Sequence, residues 1–290
     1  MKNILAAVFV LILLIFAGCS MGSNKVGPDK KDISGDGLRI NFDLGNEKIS
    51  LGRVDYEISL ENTGAQPIEI SQNEFILNTV ETTSDDFSSV YTRESLDAFQ
   101  RQIFPEGDFQ IFQNQKIGPL RGSLFLEENF KENTAFEDLT TTLSVSFPYK
   151  TEFSNNVEID INEKRPIKIY DSVSQAAPVQ IKNIELGQSS LEDFTLNFIL
   201  VDNGQASGEH VVNIKEYTLS FRGQELQNCK FYAEKDDILQ EINHLRLDKN
   251  IKEVIISCPI EKIDEKLNTK IWGDFTYDYT ISVSEKVRLK

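Results

Sequence analysis

The side chains in this 290-residue sequence that could carry chemistry are few: three cysteines, two histidines, one tryptophan and scattered carboxylate pairs. His210 and His244 lack a cysteine or carboxylate at zinc-ligand spacing, so each reads as a structural or exposed histidine. Asp85–Asp86, Glu127–Glu128 and Asp236–Asp237 would have to converge in space to form a glycosidase pair or a cation site. Asp32, Ser34, Asp36, Gly37 and Asp43 fall at the first, third, fifth, sixth and twelfth positions of a calcium loop. The glutamate required at the twelfth position is absent, and a strand rather than a helix follows. A turn feeding the first strand is the better account, and no metal ligand is assigned. Trp272 sits in the last strand-like run and reads as a core residue rather than a sugar platform. There is no phosphate-cradling glycine loop and no Gly-x-Ser-x-Gly elbow. No catalytic residue and no cofactor is assigned, and the chain is read as a non-enzyme.

The cysteines divide by position. Cys19 ends a run in which Lys2 precedes an apolar stretch from Ile4 to Phe16 and the small residues Ala17 and Gly18. That is the charged region, apolar region and small-residue cleavage site of a secretory signal. A cysteine directly after small residues resembles the lipobox of bacterial and some archaeal lipoproteins. The resemblance implies that the Cys19 thiol is diacylated and becomes the new N-terminus. The sequence departs from the pattern at Phe16, where leucine is commonest. The alternative is an uncleaved anchor, slightly short of the ~20 residues that span a bilayer. Either reading leaves the rest outside and attached. In an exported chain the remaining pair, Cys229 and Cys258, reads as one disulfide, with two buried free thiols as the alternative.

Formal net charge is -16, and removal of Lys2 with the leader makes the mature chain more acidic still. Such a surface repels phosphate backbones and anionic headgroups, so nucleic acid is not an expected partner. At 40% hydrophobic and 10% aromatic, the composition supports real cores. There is no Asn-x-Ser/Thr acceptor for N-glycosylation.

The elements that must position these residues read as strands. Residues 20–37 hold almost nothing that could be buried and look like a flexible tether. From Leu38 the pattern has period two: 38–44, 54–64, 68–77, 120–128 and 139–161 alternate apolar and polar residues between turn signals. The second half repeats the plan at 179–186, 194–204, 211–221 and 254–258. Residues 267–289 align without gaps to 139–161, with Leu139/Leu267, Thr141/Thr269, Phe147/Phe275 and Tyr149/Tyr277 identical. The fold expected is all-β: two tandem antiparallel immunoglobulin-like sandwiches over 38–165 and 178–290, behind the signal peptide of residues 1–19 and the tether. Two segments break the pattern. Within 81–116, Leu96, Phe99 and Ile103 have helical spacing and Pro105 would end a helix there. Residues 233–248 could form a short helix with Ile238, Ile242 and Leu245 on one stripe. Core capping is the expectation for both segments, with a binding surface as the alternative at 81–116.

GDGLRINFD (35–43), YEISLENTGA (56–65), FPYKTEFSNNVEIDI (147–161) and the region from Cys229 to Val287 resemble archaeal-type cell-surface lipoproteins built from immunoglobulin-like or CARDB-like modules. The likeness extends over nearly the whole chain. In such proteins a Tyr-Pro-Tyr-x-Thr segment is often flanked by cysteines. Here Phe147-Pro148-Tyr149-Lys150-Thr151 keeps the core without them, whereas Cys229 and Cys258 match the paired cysteines of the last module. The resemblance implies fold and cell-surface location and carries over no catalytic or ligand residues.

The function expected is that of a membrane-anchored surface lipoprotein with a non-catalytic structural or adhesive role. Its partners would be the membrane, through the lipid anchor, and a protein or envelope component. The alternative is a lipoprotein binding a small molecule, glycan or cation.

Overall fold

Two runs of alternating β-branched and aromatic residues set the architecture. The structure, a computed structural model, describes residues 37–45, 52–81, 90–128, 138–188, 193–204, 208–235, 238–263 and 265–288. Cys19, the tether to residue 36, Asp85, Asp86, Phe87, Asp236 and Asp237 lie outside the described residues, and the expectations placed on them are not addressed. Strands β7 (Asp138–Ile159) and β17 (Leu267–Arg288), each 22 residues long, pair antiparallel over their whole length. On β7 every odd-numbered side chain from Leu139 to Ile159 is buried. On β17 Ile271, Gly273, Phe275, Tyr277, Tyr279, Ile281 and Val283 are buried. Because the side-chain period is two, a one-residue slip would turn both sets toward solvent, so burial fixes this register.

The aligned residues Tyr149 and Tyr277 face each other across the ladder. The two copies of the segment are therefore related by an approximate two-fold about that pair. Around it lies an aromatic cluster: ring centroids are 6.3 Å apart for Phe147–Tyr149, 5.6 Å for Phe147–Tyr279 and 5.9 Å for Tyr149–Tyr277.

β4 (Phe75–Glu81) and β8 (Ile167–Ser174) flank β7 near its two ends, and β11 (Glu209–Phe221) flanks β17. With β12 (Gln224–Glu225) and β15 (Arg246–Leu247) these strands make one long sheet. Two smaller sheets cover its buried face. The first contains β1 (Leu38–Leu44), β2 (Arg53–Asn62) and β6 (Lys116–Phe125), with Leu38, Ile40, Phe42 and Leu44 pointing inward and β1 packing on β17. The second is five-stranded: β9 (Val179–Gln188), β10 (Phe194–Asp202), β13 (Lys230–Lys235), β14 (Ile238–Ile242) and β16 (Glu253–Ile260). Its Phe198 lies 6.2 Å from Phe153 of β7, ring to ring. The described pairings are all antiparallel, and the expected all-β sandwich class holds.

The tyrosine hydroxyls of the central cluster fasten the covering loops. Tyr149 donates to the Ala176 carbonyl at 3.1 Å and accepts from the Gln66 amide at 3.3 Å. Tyr277 bonds Thr151 at 2.9 Å and accepts from the Val179 amide at 3.3 Å. Tyr279 donates to Asp202 at 3.3 Å. Gly64 and Gly204, which occupy matching positions after the two repeated strands, lie directly under these hydroxyls. A methyl group at Gly64 would overlap the Tyr149 oxygen, and one at Gly204 would overlap Tyr279. The sequence repeat of Gly64 and Gly204 is thus a packing requirement. The described residues fall in one compact unit. The two halves, expected as sandwiches over 38–165 and 178–290, meet in the shared sheet, and the stretch between those bounds contains β8.

The segment 81–116 contains helix α1 (Arg93–Ile103), N-capped by Thr92 and followed by Phe104 and Pro105, as the spacing predicts. Phe99, Ile103 and Phe104 are buried, with Phe99 edge-on to Tyr56 at 4.9 Å and Phe104 edge-on to Phe75 at 5.3 Å. The short pair β3 (Ile68–Ile70) and β5 (Phe109–Ile111) completes this cover. The helix expected over 233–248 is absent; those residues contribute to the β13–β14 hairpin and β15. The reason is non-local. Cys229 and Cys258 form a disulfide, and Lys230–Ala233 pair with Val254–Ser257, so the following residues return along a sheet edge. That ladder outweighs a weak helical stripe.

Two outcomes test these constraints. Replacing Cys229 and Cys258 by serine lowers unfolding free energy by about 2–5 kcal/mol in denaturant titrations under oxidising conditions. Gly64→Ala costs about 1–3 kcal/mol through overpacking. Part of that loss is recovered in the Gly64→Ala/Tyr149→Phe double variant, where the colliding oxygen is gone.

Candidate functional site

The outer face of the long sheet is where the two copies differ. On one side of the central tyrosine pair, facing hydroxyls satisfy one another: Thr142–Ser284 at 2.8 Å, Ser144–Ser282 at 2.8 Å and Ser146–Thr280 at 2.7 Å. On the other side the equivalent rows carry Lys270 opposite Asn156, Trp272 opposite Ser154 and Asp274 opposite Glu152, and the next row towards the tyrosines places Lys150 opposite Thr276. Ser154 in turn faces Val173 of β8, so Trp272, Ser154 and Val173 form one row across three strands. These residues, with Phe153, Gln175 and Gly273, line a groove of about 340 Å3.

Trp272 is 41% exposed, against its expected place in the core. Its position explains this. Ile271, Gly273, Phe275, Tyr277 and Tyr279 point inward, and Trp272 is out of phase with all of them. The parity of the aromatic run was the available signal, and it was outweighed by the usual burial of tryptophan.

Glu152 and Asp274 also line the groove, and beside it Lys150 pairs with both, its Nζ 3.1 Å from Glu152 and 3.7 Å from Asp274. The hydrogen bond to Glu152, with the field of both carboxylates, raises the lysine above its ordinary range and keeps it charged. Gln175 donates to the other Glu152 oxygen at 3.4 Å. At the same edge, Glu158 of β7 is largely buried and accepts from Lys266 at 2.7 Å, with Lys168 of β8 at 3.6 Å. The Lys266 hydrogen bond holds the Glu158 carboxyl below its usual range, with lesser help from Tyr170 and Lys168. This pair of lysines ties β8 and the β17 approach to β7.

The other sequence-derived candidates do not converge here. His210 is nearly buried, with Nδ1 3.3 Å from Asp202 and its ring 5.6 Å from Tyr279; Nε2 has no hydrogen-bond partner among the described residues. This places it in the structural cluster around Gly204. His244 is exposed. Asp43 lies in β1, facing away from the core and paired with Glu57 in the ladder. Among the described residues no group of three histidine, cysteine or acidic side chains could hold a metal ion. The segment 81–116 leaves a shallow notch of about 300 Å3 between α1 and β4, floored by Phe75 and Phe99.

No family model and no curated protein matches the chain. Among solved structures, the envelope protein VP37 of White Spot Syndrome Virus superposes on 45% of this chain and 98% of its own, with 15% identity and a TM-score of 0.25. A GH31 α-xylosidase from Xanthomonas citri covers 84% of this chain and 28% of its own, with 8% identity and a TM-score of 0.13. Neither superposition is close enough to carry an argument about fold or function.

The Glu158 pairs make stability pH-dependent in a defined direction. A depressed carboxyl pKa contributes stability above the unfolded value and loses it as pH falls through the folded value. Glu158→Gln is therefore less stable than the parent at neutral pH, and the gap closes on acidification below about pH 4. Equal gaps at pH 7 and pH 3 in thermal unfolding would assign the effect to packing instead.

Proposed function

We propose that this chain is an extracytoplasmic lipoprotein, anchored to the membrane through lipidated Cys19, with a non-catalytic structural or adhesive role toward a protein or envelope partner. The leader supports the location, and the Cys229–Cys258 disulfide fits an oxidising compartment. The acidic net charge of -16 argues against nucleic acid as the partner.

The observation that carries the adhesive reading is β8. This eight-residue strand pairs with β7 on one side, and among the described residues its other side has no ladder partner. It exposes Ile169, Tyr170 and Val173 at 42%, 63% and 68%. An exposed apolar edge is what a partner strand or surface extends, and proteins ordinarily blunt such edges. The non-catalytic reading draws on Glu158: among the described residues it is the carboxylate of the buried class, and two lysines hold it ionised rather than poised to donate a proton.

A photo-crosslinking side chain at Tyr170 of the full chain in native membranes gives discrete adducts with an envelope component. The same probe at exposed Arg121 on the first covering sheet gives none. Adducts with lipid alone, or equal labelling from both positions, would remove the adhesive reading. Intact mass of the membrane-extracted chain shows a diacylglyceryl increment that Cys19→Ser abolishes; an unmodified mass would leave an uncleaved anchor.

A further inference from the structure

We propose that the Trp272 groove is a saccharide-binding site for a neutral hexopyranosyl segment of an envelope polysaccharide. The inference deepens the adhesive reading and rests on it for the setting, since it names the chemistry of the partner.

Three features select this ligand class. First, Trp272 and Ser154 lie inside the sheet and not at its edge. β17 is paired on one side with β11 and on the other with β7, and β7 with β8, so an added strand finds open backbone groups only beyond Val173, at the outer side of β8. What the row offers is a partly exposed indole face with side-chain hydrogen-bonding groups beside it. Second, a pyranose presents an apolar C–H face flanked by hydroxyls that donate and accept. The indole takes the apolar face. Glu152 and Asp274 accept from hydroxyls, while Gln175 donates and Lys150, outside the lining, offsets part of the carboxylate charge, in the pattern of an apolar floor with a few convergent polar groups. The two carboxylates against one lysine disfavour an anionic polymer.

Third, the approximate two-fold supplies an internal control. Both copies bury their inward positions from Leu143 to Asn155 and from Ile271 to Val283, yet the rows equivalent to Trp272–Ser154 and Asp274–Glu152 are Ser144–Ser282 and Ser146–Thr280. Those hydroxyls are bonded to each other at 2.8 and 2.7 Å. One half of the outer face is closed on itself and the other has an open aromatic platform. The position equivalent to Trp272 in the other copy is held by Ser144.

Trp272 is the single tryptophan of the chain, so its emission reports this groove alone. The full chain in detergent micelles is titrated with cellohexaose, chitohexaose and maltohexaose. At least one produces a saturable change in emission. By calorimetry the same sugar is lost from Trp272→Ala, partly retained by Trp272→Phe, and weakened about tenfold or more by Asp274→Ala, all with unchanged unfolding midpoints. The proposal is overturned if none of the three sugars changes the emission, or if Trp272→Ala binds as the parent does. Loss of sugar binding with crosslinking at Tyr170 intact would refute the saccharide and leave adhesion standing; loss of both would refute the adhesive reading as well.

Discussion

The in-register pairing of β7 with β17 is the constraint on which the remaining structure depends. Each strand carries an unbroken inward alternation over most of its 22 residues, and each pairs with the other from end to end. The smaller sheets have nothing to cover without it, and the loops that follow β2 and lead into β9 have no tyrosine hydroxyls to bind. Fixing two extended segments more than a hundred residues apart carries a large closure entropy. Burial of Phe147, Tyr149, Phe153, Phe275, Tyr277 and Tyr279 along one face offsets it, each contributing roughly 1.5–3 kcal/mol.

Burial also keeps these phenols uncharged. The hydroxyls of Tyr149 and Tyr277 are pushed above the ordinary tyrosine range by desolvation, and Tyr91, bonded to Thr141 at 2.7 Å, is pushed up to about 12. They therefore remain donors as well as acceptors at any ordinary pH. An inward face built this way resists change in both copies at once, because each altered residue meets its counterpart near the centre. The outward face is under no such coupling, and there the copies have parted: hydroxyl pairs on one side, tryptophan and carboxylates on the other.

Much of the fold was legible because period-two alternation is a local signal. The segments 38–44, 139–161, 179–186 and 267–289 became β1, β7, β9 and β17 nearly as read, and the stripe of Leu96, Phe99 and Ile103 became α1. What escaped depended on partners distant in sequence. The hairpin of β13 and β14 is set by the Cys229–Cys258 bridge and by β16. β8 falls between the two expected sandwiches, where no strand was expected, and its pairing with β7 makes it one. The candidate site was hidden for a related reason. Trp272, Glu152 and Val173 lie on three strands, and nothing in any one of them says which neighbours it will have.

Gly37, just ahead of β1, has no room for a side chain: an added methyl would strike Pro178 and come within van der Waals reach of Tyr149. Residue 37 therefore sits at the middle of the long ladder rather than at either end. Under the anchoring proposed above, a pull from the membrane would enter beside the tyrosine pair instead of at a strand end. A ligand beside Trp272 would load the sheet to one side of that point, as a torque rather than a direct pull.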